Sequence, residues 1–71
     1  MSWTELAITE AGDKATTRKD MALTYALGLR DFPGVDWAAI NAAILKRWSK
    51  SGLIWIKTQA WKLYESQKVA R

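Results

Sequence analysis

One stretch, Asp31-Phe32-Pro33-Gly34-Val35, does most to limit what this chain can fold into. It holds the chain's single proline. Proline disfavours helical geometry in the residue before it, and Pro-Gly is turn chemistry. One helix is therefore expected to end before this stretch and another to begin after it. Phe32 and Val35 are the apolar residues expected to return to the core.

Upstream of that break, Ser2-Trp3-Thr4-Glu5 has the form of a capping box, a hydroxyl at the N-cap with a carboxylate three places on. The i, i+3, i+4 spacing of Trp3, Leu6, Ala7 and Ala11 predicts a first helix with those four on one face. Gly12 is well placed for the left-handed position that closes a helix. Thr17-Arg18-Lys19-Asp20 repeats the capping form and opens a second helix. Met21, Ala22, Tyr25, Ala26 and Leu29 make its apolar face. Leu23 and Leu27 widen that face, either into the core or toward a second copy of the chain.

Downstream, Asp36 has the form of an N-cap for a third helix over about 37–49. Trp37, Ile40, Ile44 and Trp48 fall in a narrow arc, with Ala43 and Leu45 beside it. Lys46 and Arg47 favour its C-terminal end electrostatically. Ser49-Lys50-Ser51-Gly52 then reads as a turn. After it Leu53, Ile56, Ala60, Leu63 and Tyr64 share a helical face over more than three turns, bordered by Trp61 and Ile54. A strand reading of Leu53-Ile54-Trp55-Ile56 needs Thr58-Gln59 as a two-residue hairpin turn, and those residues do not readily supply positive φ. The expectation is one all-α domain over 1–71, a compact bundle of four short helices whose C-terminal pair resembles a helix-turn-helix. The alternative is a winged-helix-like unit with residues 53–64 as a β-hairpin and Asn41, Lys46 and Lys50 as the reading residues.

With 71 residues and no cysteine, neither disulfides nor thiolate metal sites can staple such a bundle. A chain this short buries only about 60% of its unfolded surface. Five Trp, two Tyr and one Phe supply the compensation, each aromatic burying roughly 150–250 Å².

The same inventory narrows function. Without histidine or cysteine the chain lacks the commonest general base, the commonest metal ligand and the best nucleophile. The carboxylates are scattered and several are committed to caps, and no glycine-rich phosphate loop is present. No enzyme activity, cofactor, metal or small-molecule substrate is expected. No apolar run approaches the roughly 18 residues a membrane span needs. The first residues do not have the form of a secretory signal, and a cytoplasmic location is the expectation. Peripheral membrane binding is disfavoured because the lysines do not gather on one polar face opposite the indoles.

Charge points to binding. Residues 1–35 carry a balance of −1 and residues 36–71 a balance of +5, within a net charge of +4. Such asymmetry suggests a polyanionic partner for the C-terminal half. The expected function is a small non-enzymatic module that binds duplex DNA through Lys46, Arg47, Lys50, Trp55, Thr58, Gln59 and Lys62. On the helical wheel Trp55 lies opposite the apolar arc beside Thr58, Gln59 and Lys62, residue types that contact bases and phosphates. The stem of Lys57 is expected to run along Trp61 and Tyr64. The alternative function is a protein-interaction or self-assembling subunit, with Leu23 and Leu27 of the second helix and the exposed Trp55 in a homodimer or protein interface.

Overall fold

A computed structural model describes residues 2–32 and 34–69, with side chains described as far as Ser66. Pro33, and the side chains of Lys68 and Arg71 counted in the cationic half, lie outside the described residues. The described residues form three helices and no strand: α1 (Trp3–Gly12), α2 (Arg18–Asp31) and α3 (Trp37–Val69). The all-α class expected from sequence is therefore present, and the β-hairpin over 53–64 is not, because that segment is helical throughout. No helix among them is long and apolar enough to cross a membrane.

Each helix starts where a capping residue stands. Ser2 Oγ accepts from the Glu5 N–H at 3.2 Å. Thr17 and Asp20 complete a reciprocal box, Oγ1 accepting from the Asp20 N–H and Oδ2 from the Thr17 N–H. Asp36 Oδ1 accepts from the Ala39 N–H at 3.1 Å. These bonds satisfy N–H groups that a helix leaves unpaired in its first turn. Gly12 does not take the left-handed position expected of it. It is the last residue of α1, and the cap is Asp13 in extended geometry, its N–H bonded to the Glu10 carbonyl.

The expected third and fourth helices run on as α3, interrupted at one residue. Ser49 has φ 67° and ψ −179°, non-helical values between helical turns on both sides. A straight helix of 33 residues would span about 50 Å, whereas the molecule's longest extent is 35 Å. The chain therefore turns sharply at Ser49, and the arm over residues 50–69 returns along the bundle. The joint is narrower than the Ser-Lys-Ser-Gly turn expected, since Lys50, Ser51 and Gly52 are already helical. A non-glycine in this backbone region costs on the order of 1–3 kcal/mol, which the surrounding packing must offset. Gly52 is buried for a different reason: a Cβ built there would stand 2.4 Å from the Trp48 Cβ. Its lack of a side chain lets the two arms meet at the bend.

α3 packs on α1 and α2 around Met21, Ile40, Ile44 and Ile56, all fully buried. Ala7, Ala11, Ala22, Ala26 and Ala60 fill the spaces between helices. Aromatics close one end. Trp3 stacks on Phe32 with ring centroids 5.3 Å apart and meets Trp37 edge-on at 6.0 Å. Tyr25 lies 4.4 Å from Trp37. The Trp3 indole lies over Gly28, where an added Cβ would stand 2.3 Å from Trp3 Cη2. Tyr25 donates to Asn41 Oδ1 at 2.9 Å, so Asn41, one of the three reading residues of the winged-helix alternative, is engaged within the fold.

Five apolar residues expected in the core or on buried or bordering faces are exposed instead: Leu6, Phe32, Leu45, Ile54 and Trp61. Leu6 is exposed because α1 turns the Ala7–Ala11 edge inward, with Thr4 Oγ1 accepting from the Asp36 N–H. Leu45 and Ile54 are exposed because α3 meets its neighbours through Ile40 and Ile44 in one arm and Ile56 and Ala60 in the other. Leu23 and Leu27 are exposed on α2.

Gly28→Ala is expected to destabilise the fold by about 1–3 kcal/mol in urea denaturation through overpacking. Most of that loss should disappear in a Trp3→Ala background, where the indole no longer occupies the site. A second expectation concerns pH. Burial raises the Tyr25 phenol above its ordinary value of 10.0, with the Asn41 bond lowering it by less. The stability held by the neutral phenol is thus complete below the ordinary phenol range and is lost as pH rises through the raised folded value. Tyr25→Phe should flatten that part of the alkaline limb of a melting-temperature profile.

Candidate interaction surface

The bend at Ser49 distributes the predicted binding residues over three shallow grooves. Thr58 and Lys62 lie on the outer face of the α3 C-terminal arm, lining a groove with Ile54, Lys57, Trp61 and Glu65. Trp55 and Gln59 line a second groove between this arm and α2, together with Lys19, Ala22, Leu23 and Leu63. Lys46 and Arg47 line a third, between the other arm of α3 and α1, with Ile8, Gly12 and Ala43. Lys50 is exposed beside the bend. Leu27 is exposed one turn along α2 from Leu23.

Trp55 is partly covered by its own chain. The Arg18 guanidinium sits 5.6 Å from its ring centroid, so α2 closes over one side of the indole and leaves it 40% exposed. Leu23, expected at a separate self-association face, shares this groove with Trp55.

Arg47 is committed to structure. Its guanidinium donates to the carbonyls of Lys14 and Thr16 at 3.1 and 3.3 Å. The same group lies 4.4 Å from the Trp48 ring centroid. It thereby fixes the α1–α2 connector, where the Ala15 N–H also bonds to Asp13 Oδ1 at 2.9 Å. Cation–π contacts of this kind contribute about 0.5–1 kcal/mol when exposed.

The outer groove contains what the sequence reading left out. Ile54 and Trp61 were placed at the border of the buried arc, yet they are 56% and 45% exposed. Tyr64 meets Trp61 edge-on at 5.5 Å, which holds the indole in one orientation. Lys57 is half-buried and lines the same groove as Trp61. The signal for this patch was the seven-residue spacing of Ile54 and Trp61, two helical turns on one face.

Charge around the grooves is mostly positive and unpaired. Among the described residues Arg30 and Asp31 form an ion pair at 2.6 Å, away from this surface. That contact raises the Arg30 pKa and lowers that of Asp31, the hydrogen bond between them being the main cause. Lys46, Lys50, Lys57 and Lys62 form no ion pair among the described residues. No three acidic side chains there gather as a cation site. The surface offers apolar area, ammonium groups and hydrogen-bonding side chains, which suit binding.

No known family model matches the chain, and no curated protein or solved structure matches it either.

Replacing Arg47 by Met should cost about 1–3 kcal/mol, because the bonds lost are charge-assisted and anchor a connector. Lys46→Met, one residue away and exposed, should change stability by no more than about 0.5 kcal/mol. Urea denaturation of the two variants checks the contrast.

Proposed function

We propose that the chain is a small non-enzymatic protein-interaction module whose outer groove binds an amphipathic helix carrying acidic flanks. The observation that carries this reading is the exposure of Ile54 and Trp61 in one groove, with Lys57 and Lys62 beside them. Large apolar side chains grouped on a surface mark partner sites more often than chance exposure does, and Trp is among the commonest anchors. A groove along a helix suits the apolar stripe of a second helix. The ammonium groups of Lys57 and Lys62, within a chain of net charge +4, complement carboxylates on its rim.

A second reading is duplex DNA binding, supported by the cations of α3 that form no ion pair among the described residues. Arg47 weakens that reading, being held by backbone carbonyls. So does the separation of Trp55 and Gln59 from Thr58 and Lys62.

NMR titration of the labelled protein separates the two. A designed helical peptide with a leucine stripe and glutamate flanks should shift resonances across residues 54–66. The same peptide with lysine flanks should not. Trp61→Ala should weaken binding by about thirtyfold, the scale of a central anchor. Equal response to both peptides, or none to either, overturns the protein reading. Shifts with random duplex DNA that fade steeply with added salt establish the second reading in its place.

A further inference from the structure

Ser49 is a non-glycine residue held at φ 67° with helix on either side of it. Residues 46–52 contain no proline, and the two serines and Gly52 weaken a helix there by about 1 kcal/mol or less each without forbidding one. What bends the chain is tertiary: Ile56 and Ala60 of the C-terminal arm are fully buried against the rest of the bundle. That docking is identical whether the arm comes from the same chain or another.

Gly52 adds an independent observation. In the bent chain a Cβ at this position would stand 2.4 Å from the Trp48 Cβ. In a straight helix residues four apart have Cβ atoms about 5–6 Å apart, with no conflict. Glycine is therefore required at position 52 by the bent form alone, and it disfavours the straight one.

We propose that Ser49 is a hinge and that the partner it admits is a second copy of this chain. Opening the hinge makes α3 one continuous helix, and two chains exchange C-terminal arms, each arm docking beside the other's α2 and into its core. Short joints under strain favour such exchange. The buried contacts are those of the single chain, and the backbone strain at Ser49 is relieved. The groove beside α2 then forms between chains, Lys19 and Leu23 coming from one copy and Trp55 and Gln59 from the other. The outer groove stays within one arm, so it is present in both forms.

Two substitutions move this equilibrium in opposite directions. Gly52→Ala, which the bend cannot accommodate, should tighten dimerisation about tenfold or more, and Ser49→Gly, which relaxes the bend, should weaken it by a similar factor. Light scattering over a concentration series reads both. Spin labels at the exposed positions Ala42 and Ser66, with labelled chain diluted into unlabelled, report α3 directly. In the dimer their distance should approach about 36 Å, the length of the intervening straight helix. A Gly52→Ala protein that folds as a monomer at every concentration overturns the proposal, as does a dimer in which the labels keep the monomer's distance. If Gly52→Ala does not fold, the wild-type chain refolded at high concentration carries the test. A dimer with the long distance, diminished by Ser49→Gly, supports exchange, and a chain that is monomeric throughout rejects it.

Discussion

The return of the C-terminal arm over Gly52 is the contact on which the rest of the structure depends. It brings Ile56 and Ala60 into one buried cluster with the alanines of α1 and α2 and closes a core that a chain of this length would otherwise leave open. Two local requirements accompany it: a serine in a backbone region that suits glycine, and a glycine with no space for a side chain. Local preference and global packing disagree at both positions. Packing prevails because a few well-buried isoleucines and a methionine outweigh the strain of one residue.

Small residues determine how closely these helices approach, and large ones determine where they stop. Alanines line the centre, whereas the indoles and the Phe32 ring are concentrated toward the ends and surface. This division explains how 71 residues without a disulfide form a core. It also explains why several tryptophans reach solvent: a core built around alanine has little room for five indoles.

Much of the fold was legible in the sequence because its signals are local. The capping residues Ser2, Thr17 and Asp36 mark the three helix starts, and the Ile40–Ile44 spacing identifies the buried face of α3. Local rules did not reveal the roles of Gly28 and Gly52. Each is small because a tryptophan lies against it, from α1 in one case and from across the bend in the other. The site was less legible than the fold. A helical wheel gives the angle between residues but not which edge a neighbour covers, so the exposure of Trp55 was legible, whereas the Arg18 guanidinium over one side of its ring was not. Ile54 and Trp61 seemed bordered by the core while they face solvent. Arg47 has the character of an anion contact until the connector carbonyls are seen to hold it.

The Tyr25–Asn41 hydrogen bond has a consequence for uniqueness. Interfaces made of alanine and aliphatic side chains tolerate sliding and rotation, since one methyl group can replace another at little cost. A phenol and a carboxamide facing each other between α2 and α3 do not, because any other alignment breaks the bond and leaves the buried Tyr25 without its partner. One directional bond therefore discriminates among many near-equivalent apolar packings and selects a single alignment of the two longest helices.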